Sequence, residues 1–118
     1  MKPVFIEYPK CSTCVRAKKC LTSLGVDFID RHIVEETPTK EELTDIYKRS
    51  GLPLKKFFNT SGKLYKELSL KDQLPTMSED EQLTLLSSNG MLIKRPILVT
   101  SDVILVGFKE DNYVNLFK

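Results

Sequence analysis

Two cysteines separated by two residues, Cys11 and Cys14, are the part of this sequence with the clearest chemical capacity. A C-x-x-C pair of this kind either contributes ligands to a metal site or cycles between a dithiol and a disulfide. In redox chemistry, one thiolate attacks a disulfide sulfur, and the second thiol then displaces the mixed disulfide that results. Which of the two chemistries applies depends on the structural elements that hold the pair.

The flanking segments place the pair at a strand-to-helix corner. Residues 4–6 before it form an apolar run typical of a short buried strand, and after it apolar residues recur at helical spacing until Gly25 supplies a C-terminal stop. The first turn of a helix leaves backbone N–H groups unpaired, and together with the helix dipole they favour a negative charge such as a thiolate. The corner therefore predicts a lowered pKa for the cysteine at the mouth of the helix, Cys11.

Basic side chains follow the pair in the same helix, namely Arg16, Lys18 and Lys19, and the first turn contains no Asp or Glu. We expect their positive charge to lower the pKa of Cys11 further below the free-thiol value of about 8.5. Cys11 is therefore the predicted nucleophile. Cys14, one turn into the helix, is the predicted resolving thiol.

A metal site is the alternative use of these thiols, with zinc held by Cys11, Cys14, Cys20 and His32. Cys20 lies on the same apolar helix face as neighbouring core residues, which is more typical of a buried small hydrophobic residue than of a ligand. The sequence contains no second C-x-x-C motif. We therefore expect no metal, and we assign no role to His32, the only histidine.

The composition is that of one globular domain. The chain has 118 residues, of which 41% are hydrophobic and 29% charged, with a net charge of +2. Basic residues are spread among acidic ones, which argues against direct nucleic-acid binding. The N-terminal apolar run is interrupted by Glu7, so neither a signal peptide nor a membrane span is expected. We expect a cytoplasmic monomer in which the cysteines serve redox chemistry rather than structural disulfides.

The order of predicted elements indicates an α/β fold. A strand over 26–30 after the first helix completes a βαβ unit, the context in which C-x-x-C is typical of thioredoxin-like proteins. The middle of the chain is predicted to be helical, with capping boxes beginning at Thr39 and Ser78 and helix stops at Ser50-Gly51 and Asn89-Gly90. Two strands, 97–99 and 103–106, form a predicted hairpin before a closing helix over 110–117, which has Tyr113, Val114 and Phe117 on one side. The prediction is a small mixed sheet flanked by helices, with a helical insertion at about 37–93 between the second and third strands, in a single domain 1–118.

Several stretches resemble the arsenate reductase (ArsC)/Spx family of thioredoxin-like proteins. They are Pro9-x-Cys11-x-x-Cys14-x-x-Ala17, Phe58-Asn59-Thr60-Ser61-Gly62 with Tyr65-Lys66-Glu67-Leu68, and Gly90-Met91-Leu92-Ile93-Lys94-Arg95-Pro96-Ile97 followed by Val106-Gly107-Phe108-x-Glu110-Asp111. Their order and spacing span the whole chain. The resemblance implies a thioredoxin-like core and a cis-proline at Pro96 beside the redox pair.

The resemblance also implies roles for individual residues. Arg95 matches an arginine that helps to hold the oxyanion in arsenate reductases, and a guanidinium suits this role because its donors form a planar fork. The alternative for Arg95 is a simple ion pair with a carboxylate. Ser12, Thr13 and Pro96 are assigned to substrate binding.

Two departures from the arsenate reductase pattern bear on the substrate. Asn59 and Phe108 occupy the positions that match the other two arginines around the nucleophile. Losing two charge-assisted contacts weakens oxyanion binding by several kcal/mol, at roughly 1.5–3 kcal/mol for each hydrogen bond to a charged group. Efficient arsenate reduction is therefore not expected. The presence of Cys14 instead resembles Spx, whose C-x-x-C is a redox switch that controls its contact with RNA polymerase.

Two functional hypotheses follow. In the first, the protein is a thiol–disulfide oxidoreductase that acts on a disulfide, a glutathione mixed disulfide or, weakly, arsenate. It holds no bound cofactor and receives electrons from glutathione with glutaredoxin, or from thioredoxin. In the second, the pair is a sensor in a transcriptional regulator that binds the RNA polymerase α subunit. The first is preferred because the middle of the chain more closely resembles the reductase-like members.

Overall fold

Four strands form one mixed sheet in the computed structural model, which describes residues 2–118. They are β1 (Val4–Glu7), β2 (Ile29–His32), β3 (Ile97–Val99) and β4 (Ile104–Val106), in the order β2-β1-β3-β4. Strand β1 is central and pairs in parallel with β2 and antiparallel with β3, while β3 and β4 form a hairpin. The predicted mixed sheet and C-terminal hairpin are therefore confirmed.

Six α-helices lie within the described residues: α1 (Ser12–Ser23), α2 (Lys40–Ser50), α3 (Lys63–Glu67), α4 (Leu70–Gln73), α5 (Glu79–Ser88) and α6 (Glu110–Leu116). The chain divides into two compact units. The first unit comprises the described residues 2–32 together with 95–118, and it contains the whole sheet, α1 and α6; the second unit comprises residues 33–94. The predicted insertion at 37–93 falls within the second unit, and a single domain over 1–118 stays a prediction.

The core of the first unit joins the sheet to its two helices. Its fully buried cluster consists of Phe5, Ala17, Leu21, Leu98 and Tyr113, which come from β1, α1, β3 and α6. Along the chain, helix α1 connects the parallel strands β1 and β2, as in a βαβ unit. It ends where the sequence predicts, because Gly25 adopts a φ of +72°, a left-handed conformation that glycine takes without steric cost. The cluster fixes α1 on the sheet and with it the position of the C-x-x-C pair.

The second unit is helical, as predicted. Both capping boxes are present: the Thr39 and Ser78 side chains accept from the N–H groups of Glu42 and Glu81, whose carboxylates accept from the capping residues in return. Helix α2 also ends as predicted, since Gly51 has a φ of +70°. Three short 3₁₀ helices lie in this unit: Leu54–Phe57 between α2 and α3, Leu74–Thr76 between α4 and α5, and Gly90–Leu92 after α5.

Three details of the sequence prediction are wrong. The second strand is Ile29–His32 rather than 26–30, because Val26 and Phe28 pack against the core cluster of the first unit instead of joining the sheet. Helix α4 is not predicted by the apolar pattern, which is too short there to define a period. On α6, the residue that packs beside Tyr113 and Phe117 is Leu116 rather than Val114.

Helices in the described part of the chain fall short of the length and hydrophobicity needed to cross a membrane.

Candidate active site at the C-x-x-C corner

A tight turn between β1 and α1 holds Cys11 at the first position of the corner. The Cys11 N–H donates to the Tyr8 carbonyl at 2.9 Å, and the Cys11 carbonyl accepts from the Val15 N–H at 3.0 Å, so that Cys11 is the N-cap of α1. Its Sγ takes the place of a capping oxygen and accepts from the Cys14 N–H at 3.4 Å. The predicted helix-mouth placement is therefore what the structure contains, with the sulfur aimed at the unpaired N–H groups of the first turn.

These contacts activate the Cys11 thiol. Burial alone would raise the pKa of Cys11, but hydrogen bonds from the backbone and thiol of Cys14, the charge of Arg95 and a hydrogen bond from Thr13 N–H together hold it below its usual range. The predicted direction of the shift is confirmed. Because the thiolate is the nucleophile, Cys11 is the more reactive member of the pair at neutral pH.

The source of the positive charge differs from the sequence prediction. The cation that lowers the pKa of Cys11 most is Arg95, which is distant in sequence, rather than Arg16, Lys18 or Lys19. Lys18 instead forms ion pairs at 3.5 Å with Glu7 and 2.5 Å with Asp30. The carboxylates of Glu7 and Asp30 therefore engage the Lys18 ammonium group, while Arg16 Nη2 donates to Thr13 Oγ1.

Cys14 has the opposite character. It is fully buried, and this burial raises the pKa of its thiol to about 12 against a backbone hydrogen bond from Tyr8. The neighbouring sulfur of Cys11 and the carboxylate of Glu7 act in the same direction as burial and are part of this rise in pKa. Cys14 therefore remains a protonated thiol at neutral pH and donates to Cys11. This division into one activated and one protonated thiol matches the predicted roles of nucleophile and resolving thiol.

Arg95 lies on the same side of the pair as Cys11. Its guanidinium carbon is 5.2 Å from the centre of the Tyr8 ring, a cation–π contact, and its Nε and Nη1 atoms are buried with no hydrogen-bond partner among the described residues. The alternative of a simple carboxylate pair does not account for these two donors. Unpartnered buried donors of a cation are costly unless a ligand satisfies them. Near Cys11, these two donors are available to an anionic group, and the role of Arg95 stays a prediction.

The remaining predicted substrate-binding residues follow Cys11 or Arg95 directly in the chain. Ser12 is exposed at the start of α1, and Thr13 Oγ1 accepts from Arg16 Nη2 at 3.5 Å. Pro96 is buried, and the Arg95–Pro96 peptide bond is cis, as the resemblance implied. Their roles in binding stay predictions.

The two residues that stand in place of arginines take structural positions within their own units. Phe108 packs edge-on against Tyr113 in the first unit, with ring centres 4.9 Å apart. In the second unit, the backbone N–H of Asn59 donates to the Leu92 carbonyl at 2.8 Å.

A group of charged side chains beside the pair was missed by the sequence analysis. Glu7, at the end of β1, is only 3% exposed. The pKa of Glu7 is raised to about 7, chiefly by burial. The hydrogen bond with Asp30 and the negative charge of Asp30 also raise this pKa, whereas Lys18 lowers it. The available signal was a carboxylate directly after the apolar run of a central strand, where both sheet faces are covered. The sequence analysis took Glu7 only as the end of the apolar run.

The other candidate ligands do not assemble a metal site. All three cysteines are free thiols, and Cys20 is half-buried against the core cluster of the first unit, as expected for a small hydrophobic residue. His32 packs edge-on against Tyr8 with ring centres 5.9 Å apart. Within residues 2–118, no group of three or more His, Cys, Asp or Glu residues is arranged to hold a metal ion.

Comparison with known proteins places this site in a family. The model of the ArsC family matches residues 6–116. The uncharacterized protein YusI of Bacillus subtilis (strain 168) is 56% identical over 113 residues, which cover 96% of each chain. The regulatory protein MgsR of the same organism is 32% identical over 114 residues, covering 97% of this chain and 89% of MgsR.

A solved structure gives the same result for the fold. That of a possible arsenate reductase from Streptococcus mutans UA159 is 48% identical, superposes with a TM-score of 0.85 and covers 91% of each chain. This similarity confirms the thioredoxin-like α/β fold that the resemblance implied. Cys11, Cys14 and Arg95 lie within the range of residues that the ArsC family model matches.

Proposed function

Because this chain belongs to the ArsC family, we propose that it is a thiol–disulfide oxidoreductase in which Cys11 is the nucleophile and Cys14 the resolving thiol. The observation that carries the proposal is that the two thiols at this corner have pKa values shifted in opposite directions. Cys11 accepts hydrogen bonds and has a lowered pKa, while Cys14 is buried and protonated. One thiol is thus prepared to attack and its neighbour to displace.

The reaction begins when the Cys11 thiolate attacks one sulfur of a substrate disulfide. The bond between the two substrate sulfurs breaks, and one of them leaves as a thiolate while the other is joined to Cys11. Cys14 then attacks Cys11, releases the second substrate thiol and closes a Cys11–Cys14 disulfide. Two external thiols, from glutathione with glutaredoxin or from thioredoxin, return the pair to the dithiol.

Arg95 selects the substrate in this proposal. Its unpartnered Nε and Nη1 donors suit a carboxylate or another planar anion near the attacked sulfur, as in a glutathione mixed disulfide. One arginine provides less stabilisation for a tetrahedral oxyanion than several do, so arsenate is the weaker substrate. The preferred substrate is a disulfide that carries a carboxylate.

Steady-state turnover tests this proposal. The unaltered protein is supplied with glutathione, NADPH-coupled recycling of oxidised glutathione, and either a small glutathione mixed disulfide or arsenate. We expect turnover of the mixed disulfide to be lost in Cys11→Ser and retained in Cys20→Ser, since Cys20 lies outside the corner. Undiminished turnover in Cys11→Ser would refute the assignment of the nucleophile.

A second candidate function is redox-dependent regulation, which is favoured by similarity to MgsR and to proteins named global transcriptional regulator Spx, such as that of Streptococcus agalactiae, at 31% identity. In this case the Cys11–Cys14 disulfide changes a surface that contacts the RNA polymerase α subunit. The discriminating measurement is binding of purified α subunit to the oxidised and the reduced protein. Redox-dependent binding in the absence of turnover would favour the regulator.

A further inference from the structure

The resolving step of the proposed function contains an unsolved problem of proton transfer. Cys14 must lose its proton before it attacks Cys11, yet it is fully buried, and burial is the largest cause that raises the pKa of its thiol. At neutral pH the thiolate fraction is therefore too small for efficient attack, and hydroxide from solvent has no direct access. A group that removes this proton has to lie beside the Cys14 sulfur inside the first unit.

Glu7 faces the same side of the sheet as Phe5, two residues earlier in β1, and Phe5 packs against Ala17 and Leu21 of α1. The backbone N–H of Tyr8, which belongs to the peptide that joins Glu7 to Tyr8, donates to the Cys14 sulfur. Lys18 is four residues after Cys14 and therefore lies on the same face of α1. Its Nζ is 3.5 Å from Glu7 Oε2, which places the carboxylate under the helix face that carries Cys14. The charge of Glu7 is felt at Cys14, where it raises the pKa of the thiol.

We propose that Glu7 is the proton acceptor for Cys14 in the resolving step, an inference that rests on the proposed function. In the mixed disulfide, the Glu7 carboxylate takes the proton from Cys14 Sγ. The resulting thiolate attacks Cys11 Sγ, the Cys11–Cys14 bond forms, and the bond from Cys11 to the substrate sulfur breaks. The substrate sulfur leaves as a thiolate with the electron pair, so the dithiol is oxidised and the substrate disulfide is reduced.

Charged neighbours tune Glu7 for this exchange. Lys18 contacts it from α1, while Asp30 and His32 lie on β2, the strand that pairs with β1. A carboxyl group whose pKa is about 7 can accept a proton and release it again near neutral pH. Glu7 and Lys18 also line a surface groove of about 520 Å³, which gives the proton a route to solvent after each turnover.

The test separates the two chemical steps of one turnover. Reduced protein in a Cys20→Ser background is mixed with one equivalent of dithiobis(nitrobenzoate), and released thionitrobenzoate is followed by stopped-flow absorbance. The first phase reports attack by Cys11, and the second reports resolution by Cys14. We expect Glu7→Gln to slow the second phase by about 10–100-fold near neutral pH, to abolish its pH inflection and to leave the first phase unchanged.

If the role of Glu7 were only electrostatic, Glu7→Gln would change the rate of the second phase in the opposite direction. The negative charge of Glu7 raises the pKa of Cys14, so loss of the charge alone would produce more Cys14 thiolate and a faster second phase. An unchanged or faster second phase in Glu7→Gln would therefore overturn the inference. Asp27→Asn is the matched control, because Asp27 is an exposed carboxylate that pairs with Lys2 at 3.3 Å. Both phases should survive in this control.

Lys18→Met keeps the inference testable if Glu7→Gln does not fold. Lys18 lowers the pKa of Glu7, so its loss should move the inflection of the second phase to higher pH. An inflection that stays in place would contradict the role of Glu7. Failure of the proposed function is distinguishable from either outcome, because it would abolish the first phase of the unaltered protein and the inference with it.

Discussion

The reactivity of Cys11 depends on a residue that is far from it in the sequence. Its lowered pKa arises from hydrogen bonds within the first turn of α1 and from the charge of Arg95, against the effect of burial. Arg95 is held over the Tyr8 ring, and Tyr8 belongs to the turn that positions Cys11. In the proposed function, the same guanidinium therefore has two roles: it lowers the pKa of the nucleophile and presents donors to the substrate.

Replacing Arg95 tests this double role. We expect Arg95→Gln to raise the pKa of Cys11 and to slow its alkylation by iodoacetamide several-fold below neutral pH, because less thiolate is present. The measurement is the pH dependence of alkylation of the Cys11 peptide, followed by mass spectrometry. Arg16→Gln is the control, because Arg16 is an exposed cation of the same helix that donates to Thr13 Oγ1 and is not among the main causes of the shift at Cys11. Equal pH profiles for Arg95→Gln and the unaltered protein would disprove the contribution of Arg95.

Glu7 links the candidate site to stability. Its pKa is raised from an ordinary value of 4.5 to about 7, chiefly by burial. The native state therefore binds the Glu7 proton more tightly than the unfolded state does. Between pH 4.5 and about 7 this group makes the free energy of unfolding fall as the pH rises, and above that range the loss is complete.

Glu7→Gln should therefore be stabilising at alkaline pH. We expect little difference from the unaltered protein near pH 4.5 and a gain of roughly 1–3 kcal/mol in the free energy of unfolding above pH 7. Urea denaturation under reducing conditions at several pH values measures the gain. The exposed Asp27→Asn control should change the free energy by less than about 1 kcal/mol. A variant less stable than the unaltered protein at alkaline pH would show that Glu7 is instead a structural anchor.

At the scale of elements, the sequence predicted what local chemistry decides. The corner before α1, the capping boxes at Thr39 and Ser78, and the stops at Gly25 and Gly51 each depend on residues within one turn of one another. Such interactions leave a clear sequence signal because neither partner depends on the rest of the fold.

What the sequence did not predict depends on partners distant along the chain. The start of β2 at Ile29 is set by its register with Val4, and the shift at Cys11 by the position of Arg95. Lys18 was expected to act on the thiols because it is near them in sequence, but its ammonium group forms ion pairs with Glu7 and Asp30. A local sequence pattern predicts neither the register of a strand nor an ion pair between residues that are distant in the chain.

Gly90 illustrates an element boundary with a steric cause. The sequence analysis took Asn89 and Gly90 as the end of a helix, and α5 does end at Ser88. A Cβ atom at position 90 would lie 2.2 Å from the Ile33 carbonyl oxygen and 2.8 Å from its carbon. Glycine is therefore required by close approach of two backbone segments within the second unit, in addition to any role as a helix stop.

Gly90→Ala should destabilise the protein by about 1–3 kcal/mol or more, because the neighbouring backbone has to move to admit the methyl group. Urea denaturation measures the change. Gly62→Ala is the control, since the nearest atom to its added Cβ, at 2.7 Å, is the Asn59 side-chain nitrogen, which can rotate away. We expect a smaller loss there. An equal loss in both variants would argue against backbone approach as the cause at Gly90.

At the scale of the whole molecule, the question is whether the two compact units unfold together in one cooperative transition. The first unit has its own core around Leu21 and Tyr113, and the second has buried residues that include Leu86. Each unit comprises about half of the chain, and folded domains of roughly 60 residues are marginally stable alone because they bury too little apolar surface. The prediction of a single domain over 1–118 then requires that both units unfold together.

Core truncations in each unit test this cooperativity. Leu21 and Leu86 are both fully buried, so Leu21→Ala and Leu86→Ala should each cost about 2–5 kcal/mol, whereas Leu68→Ala, at a position 40% exposed, should cost less. Hydrogen exchange followed by mass spectrometry in moderate urea reports residues 2–32 with 95–118 separately from 33–94. If the chain is one cooperative domain, either core variant lowers protection in both units to the same extent. Loss of protection confined to the truncated unit would instead mean that the helical insertion unfolds independently of the unit that carries Cys11 and Cys14, because only separate free energies of unfolding allow one unit to open alone.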